Sequence, residues 1–359
     1  MTTKINPAIF KAYDIRGIYP DEVDPEVAYR VGRAYGRYLK NDLKKTLPLA
    51  IILGQDMRVS SPFLAREVAR GLNDEGIDAV DIGRVPTPAF YYAIAFKDYA
   101  GGVMVTASHN PKEYNGFKLS REKASPIGQG SGMEKISAYA LEEPAKPAGK
   151  GKLLSLSDIT REYVEQELSY LNAGKIKKFK IAADPANAMG ALYLAELFAK
   201  IPCDPIKLNW ELNGNMPIHE ANPLKTETLA QLQAVMKNEG ADFGIAPDGD
   251  GDRAAFLDEK AEVIPPAIVT GLVAQVLLKK YPGAKIGYDL RSSRVAREMI
   301  EQGGGQPVET MVGHSKIKKL MEEQDILFAG ELSMHYYFRE NYNYESPVFV
   351  AAQLLLMRS

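Results

Sequence analysis

The side chains best suited to chemistry crowd into one short run, Asp248-Gly249-Asp250-Gly251-Asp252-Arg253. Three carboxylates alternate with two glycines. Alternate residues on an extended or turning backbone face the same way, and the glycines let the chain curl without obstruction. Converging carboxylates repel one another, and a hard dication such as Mg2+ relieves that repulsion. Arg253 beside them suits a phosphate oxygen. A calcium loop of the EF-hand type is a rival, because Asp248, Asp250, Asp252 and Glu259 fall on its ligand positions. Its obligatory glycine, however, is Arg253 here, and a strand rather than a helix precedes it. A metal-free solvent turn is the third reading.

Two further loops carry reactive groups. In Thr106-Ala107-Ser108-His109-Asn110-Pro111 a serine follows an apolar strand, with a histidine beside it. Read alone, such a serine is a turn residue. No Gly-x-Ser-x-Gly elbow surrounds it, which disfavours a hydrolase triad. Near a metal and an arginine its hydroxyl can carry a phosphoryl group, and such transfer is mostly positioning plus charge neutralisation. In Gly330-Glu331-Leu332-Ser333-Met334-His335 the alternating Glu331, Ser333 and His335 form a set suited to sugar hydroxyls, or an ordinary strand end. His314, in Gly313-His314-Ser315, sits at a strand-to-helix turn, and only His219 of the four histidines falls elsewhere. That bias favours proton transfer by histidine.

The elements that must position these loops repeat. Leu49 to Asp56, Ile181 to Asp184 and Ile286 to Asp289 are short apolar runs ending in Asp, each followed by small or polar residues and a helical pattern. A second strand and a second helix follow in each copy. A third strand then enters the serine loop, the acidic loop and the Glu331 loop in turn. Strands alternating with helices predict an α/β fold of three tandem, similar domains, each a mixed, largely parallel sheet sandwiched by helices. Ligands bind outside the carboxyl ends of such strands. The expected domains are residues 1–150 with the serine loop, 151–258 with the metal loop and 259–359 with the sugar loop. The basic run Lys175 to Lys180 reads as a solvated strand entrance. Val348 to Met357 reads as an apolar helix that a partner or further sequence must cover.

Composition narrows the class. Apolar residues make up 45% and charged residues 25% of the 359, as in ordinary globular chains. The net charge of −2 gives no reason to expect nucleic acid or an anionic membrane. Cys203 is the single cysteine, so neither an intrachain disulfide nor a cysteine zinc site can form, and a cytoplasmic home is expected. The start, Met1 to Pro7, lacks a signal peptide's apolar core. The longest apolar stretch, Ala267 to Leu278, is far short of the ~20 residues of a membrane span.

With these loops in this order, the chain resembles the α-D-phosphohexomutases over essentially its whole length, specifically the bacterial phosphomannomutase/phosphoglucomutase branch. The opening Phe10-Lys11-Ala12-Tyr13-Asp14-Ile15-Arg16-Gly17 is similar to the mannose/glucose branch. The resemblance implies interconversion of hexose 1- and 6-phosphates through a phosphoserine at Ser108 and a hexose 1,6-bisphosphate, which also serves as activator. It implies that Asp248, Asp250 and Asp252 hold Mg2+ together with an oxygen on Ser108. Arg253 would contact the phosphoryl group, with Arg16 and Lys118 near it. His314 and Lys118 are implied as general acid and base. Arg291, Glu331 and Ser333 would bind the sugar phosphate, His335 would support that loop, and Tyr13 and His109 would line the cleft.

Two departures stand out. The family commonly has Gly where Met334 stands. The chain stops at Ser359, about where the family's fourth, C-terminal phosphate-binding domain would begin, so that domain is expected to be lacking and mutase turnover to be weakened through lost remote binding energy. A phosphoglucosamine mutase, a metal-dependent phosphatase and a non-catalytic sugar-phosphate-binding fragment are the alternatives. The expected partners are small sugar phosphates, with the chain a monomer or weak oligomer.

Overall fold

The computed structural model describes residues 5–359; the reading of Met1 to Lys4 lies outside the described residues. The chain divides into two compact units, one running to Ile159 and the other from Thr160 to Ser359.

The first unit holds β1 (Ile15–Ile18), α1 (Pro25–Asn41), β2 (Ala50–Gln55), α2 (Ser61–Asp74), β3 (Asp78–Arg84), α3 (Thr87–Phe96), β4 (Gly101–Val105), β5 (Tyr114–Arg121), α4 (Met133–Leu141) and β6 (Leu153–Ser155). Its sheet runs β1-β5-β4-β2-β3-β6. The strands β4, β2, β3 and β6 are mutually parallel, while β5 is antiparallel to both β4 and β1. β4 is buried along its whole length, as a strand covered on both faces must be. Val31, Leu53, Leu64, Val103 and Phe117 lie in the core on one side of this sheet. α1 starts sharply because Pro25 opens it and the Asp24 carboxylate accepts from Val27 N at 2.8 Å. The expected boundary at residue 150 falls just before β6, which pairs with β3 in this sheet.

The second unit begins within α5 (Ile159–Ser169), whose first residue falls in the first unit. It continues through β7 (Phe179–Ala183), α6 (Gly190–Lys200), β8 (Cys203–Lys207), α7 (Ala230–Glu239), β9 (Phe243–Pro247) and β10 (Ala254–Leu257). A third sheet follows, with α8 (Pro266–Lys280), β11 (Lys285–Asp289), α9 (Arg294–Gln302), β12 (Gln306–Thr310), α10 (His314–Gln324), β13 (Ile326–Gly330), β14 (Tyr336–Phe338), β15 (Tyr344–Glu345) and α11 (Pro347–Met357). The two sheets run β10-β9-β7-β8 and β12-β11-β13-β14-β15.

One plan underlies all three sheets. The Asp-terminated strand (β2, β7, β11) is flanked on both sides by parallel neighbours, and the third strand of each copy (β4, β9, β13) returns in an antiparallel strand (β5, β10, β14). The three reactive loops are therefore all hairpin returns at the carboxyl end of a buried parallel strand. At the third return the fit is close. A Cβ on Gly330 would lie 2.0 Å from Thr270 Oγ1 of α8, so glycine ends β13 immediately before Glu331.

The apolar helix at the end of the chain corrects an expectation. α11 has Val348 through Leu355 buried within the second unit itself, where it packs on α8 and α6. No partner is needed to cover it. Ser346 caps it through Phe349 N at 3.1 Å, and Arg358 Nη1 donates to Asp242 O at 2.7 Å.

Candidate active site

In the first unit, β4 delivers the chain into the serine loop. Ser108 is 2% exposed and adopts φ +48°, a left-handed conformation uncommon for a non-glycine residue. Its N–H donates to Thr106 Oγ1 at 2.9 Å, and its Oγ lies 3.1 Å from His109 Nδ1. Arg16, on β1, bonds Asn110 Oδ1 and Asp14, which brings it to the serine loop. Lys118 lies on β5 opposite Met104 and is buried. Tyr13 is half-buried, with its Cα 3.4 Å from where a Cβ on Gly128 would stand.

Sequence reasoning missed the residue beneath this loop. Arg58 has a side chain with no exposure and is paired to Asp56 through Nε at 3.2 Å. Its Nη1 donates to the carbonyls of Pro111 (2.7 Å) and Tyr114 (2.8 Å), and its Nη2 to those of Ser108 (2.9 Å) and Asn110 (2.6 Å). The available signal was Asp56-Met57-Arg58, the same spacing as Asp289-Leu290-Arg291.

In the second unit the acidic loop turns as its glycines allow. Gly251 has φ +75°, and Asp248 Oδ1 accepts from Gly251 N at 3.0 Å and Arg253 N at 3.2 Å. Asp248, Asp250 and Asp252 are buried, each with a carboxylate oxygen within 4.8 Å of the others'. Three buried carboxylates this close, all hard oxygen donors, fit a Mg2+-type ion. A second group, Asp252, His335 and Glu345, is equally close, but Glu345 already accepts from buried Lys318 at 2.8 Å. Burial works against the charge on the Arg253 guanidinium, and Asp248, Asp252 and Asp250 more than offset it. Tyr193 of α6 was also missed. Its hydroxyl is buried with no hydrogen-bond partner among the described residues, and burial, then the three aspartates, hold its phenol well above the usual range.

The sugar loop closes differently from the expected alternation along a strand. β13 ends at Gly330, and residues 331–334 form a turn closed by Met334 N donating to Glu331 O at 3.0 Å, with Met334 at φ +69°. The turn still gathers the three expected side chains. His335 Nδ1 lies 3.0 Å from both Ser333 Oγ and Glu331 Oε2. Across the ring, His335 Nε2 lies 3.1 Å from Arg253 Nε and 3.4 Å from Asp252 Oδ1. Burial and Arg253 both push the imidazole pKa down, but Asp252 and Glu331 outweigh them and raise it to about 9. Burial would raise the Glu331 carboxyl, but His335, Tyr337 and Gly313 N hold it far below its usual range.

Glu331 also orders the neighbouring turn. Its Oε1 accepts from Gly313 N at 3.1 Å, which places His314, the first residue of α10, beside the sugar loop. Arg291 is anchored on Asp289 through Nε and Nη2. Its side chain is 42% exposed, with Nη2 3.9 Å from Glu331 Oε1. Asp252, Arg253, His335, Glu331, Ser333, His314 and Arg291 thus form one connected group.

Known proteins share this organisation. The family models described as phosphoglucomutase/phosphomannomutase, alpha/beta/alpha domains I, II and III, match residues 7–146, 161–261 and 266–358. A phosphomannomutase from Vibrio cholerae is 40% identical over 92% of this chain and 72% of its own length. A phosphomannomutase/phosphoglucomutase from Pseudomonas syringae pv. tomato is 36% identical over 97% of this chain and 73% of its own. A crystal structure of a family protein from Burkholderia thailandensis superposes with a TM-score of 0.89 at 31% identity, covering 98% of this chain and 77% of that one. No helix of the described residues is long and apolar enough to cross a membrane.

Proposed function

Because the chain belongs to the phosphoglucomutase/phosphomannomutase family of phosphohexomutases, we propose that it interconverts mannose or glucose 1-phosphate and 6-phosphate through a phosphorylated Ser108 and a hexose 1,6-bisphosphate. The observation that carries this reading is the His335 ring, which joins the acidic loop to the Glu331 and Ser333 loop. Charge neutralisation and hydroxyl recognition are then parts of one site.

A divalent cation held by Asp248, Asp250 and Asp252 would neutralise charge on the transferring phosphoryl group. Arg253 adds a fixed positive charge beside it. Exposed Arg291 and half-buried Ser333 offer donors to the sugar phosphate. Glu331 has three protein donors and retains a lone pair for a sugar hydroxyl. In the first half-reaction the bond from phosphorus to Ser108 Oγ breaks and one to the sugar oxygen forms. The sugar hydroxyl gives its proton to His314 or Lys118, and Ser108 Oγ takes up a proton, for which His109 is within reach. The second half-reaction returns the other phosphoryl group to Ser108. Arg16 orders the serine loop through Asn110, and Tyr13 lines its approach.

The test is intact mass after incubation with glucose 1,6-bisphosphate and Mg2+, with location of the added phosphate. One phosphate on Ser108 is expected, and Ser108→Ala should lose both the phosphate and sugar-phosphate interconversion. Unchanged interconversion by Ser108→Ala would end this mechanism.

A further inference from the structure

The guanidinium of Arg58 has five N–H donors in a rigid fork, and each is matched. One goes to Asp56, and four go to the carbonyls of Ser108, Asn110, Pro111 and Tyr114. The acceptor carboxylate is itself fixed. Asp56 Oδ1 accepts from Arg58 N at 3.0 Å and Ser61 Oγ at 2.5 Å, and Ser61 is held in turn by buried Asn115. Pro111 O also accepts from Tyr114 N at 3.0 Å, but the inward-pointing carbonyls of Ser108 and Asn110 draw their donors from the Arg58 Nη2. One side chain therefore ties down an irregular loop that is buried at Thr106 to Ser108 and runs out to the surface at Pro111.

The repeated plan of the chain sharpens this point. Asp289-x-Arg291 has the same spacing at the end of β11, yet there the guanidinium stays on Asp289 and remains 42% exposed. In the middle copy Ala186 stands two residues after Asp184, and Ala186 N, Asn209 and His219 satisfy the carboxylate. Burying a charged arginine is costly, and only in the serine copy is it buried. Its partners there are the carbonyl of Ser108 itself, at φ +48°, and those of the residues that follow it, Asn110, Pro111 and Tyr114.

We propose that Arg58 is the positioning residue of the serine loop: its five-way anchorage holds Ser108 in its left-handed conformation and so aims Oγ for phosphoryl transfer. This rests on the phosphoserine reading, so the test needs one readout independent of it. Lysine keeps the charge but cannot span four carbonyls. Arg58→Lys is compared with Val68→Ala, a cavity variant in the buried face of α2 of the same unit. Amide hydrogen exchange over residues 106–116 should rise in Arg58→Lys and not in Val68→Ala. The rate of Ser108 phosphorylation by glucose 1,6-bisphosphate should fall about 100-fold, as for a nucleophile misplaced by an ångström, with KM within about twofold.

Unchanged exchange over 106–116 in Arg58→Lys overturns the proposal, whether or not the wild type is phosphorylated. So does equal loss of rate in Val68→Ala at a matched melting temperature. A wild type that exchanges as expected but never gains phosphate sinks the phosphoserine reading alone. Should Arg58→Lys fail to fold, Ser61→Ala removes one bond to Asp56 while keeping the guanidinium, and the same rise in loop exchange must appear.

Discussion

Glu167 of α5 is wholly buried, and its two oxygens receive Asn341 Nδ2 at 2.8 and 2.9 Å and Tyr344 OH at 3.3 Å. Burial pushes its carboxyl from the ordinary 4.5 up to about 7, and hydrogen bonds from Ser346, Asn341 and Tyr344 only partly oppose this. Tyr163, one turn earlier on α5, Tyr170 just after it and Tyr344 on β15 are titratable neighbours, each raised first by burial and also by this carboxylate. A carboxyl that holds its proton more tightly when folded contributes stability below its unfolded pKa. That contribution is lost as pH rises through the folded value. At 1.36 kcal/mol for each pKa unit, the loss reaches about 3 kcal/mol above pH 7.

Glu167→Gln keeps an acceptor for Asn341 and Tyr344 and removes the charge. Trp210 is the single tryptophan and lies in the second unit, stacked on Phe198, so its fluorescence reports urea unfolding of that unit. The variant's advantage over wild type should grow by about 2 to 3 kcal/mol between pH 5 and pH 8. His219, raised mainly by its bond to Asp184, titrates with the same sign but cancels in this difference. A difference that stays flat with pH, or a variant that loses ground as pH rises, would refute the reasoning.

Asp250→Asn removes one of the three clustered carboxylates. Mn2+ affinity, followed by electron paramagnetic resonance, should weaken at least tenfold, no less than is typical for loss of a supporting residue around a metal (roughly 10- to 100-fold). Lys318→Met strands the carboxylate of Glu345, whose partner Nζ lies at 2.8 Å with both side chains buried. It should cost about 3 to 5 kcal/mol in urea unfolding. The double variant with Glu345→Leu should recover most of that, since the charge left behind is the main penalty.

Much of the site could be read from the chain because its chemistry is local in sequence. Asp248 to Arg253 contains its own turn residues, and Glu331, Ser333 and His335 lie close enough for one turn to gather them. The parallel strands followed from apolar runs that each ended at an aspartate. The returning strands β5, β10 and β14 were not read, since a hairpin partner shares no period with the repeat it closes. Nor could the cover over α11 be read: an apolar run states that something must bury it, and the packing on α8 and α6 is a tertiary fact.

Arg58 and Arg291 mark where local reading ends. Both stand two residues after a buried aspartate at the end of a central strand, and both bond that aspartate through Nε. What differs is what the adjacent return loop leaves unsatisfied. The serine loop turns four carbonyls inward, and a guanidinium is the side chain able to meet them all, so Arg58 is drawn under the loop. The sugar loop satisfies itself through Glu331, His335 and Tyr337, so Arg291 keeps its outer donors for solvent or an anion. One spacing thus serves as a buried clamp in one copy and an exposed cation in another, and the choice is made by backbone groups 50 to 56 residues away from Arg58 in the chain.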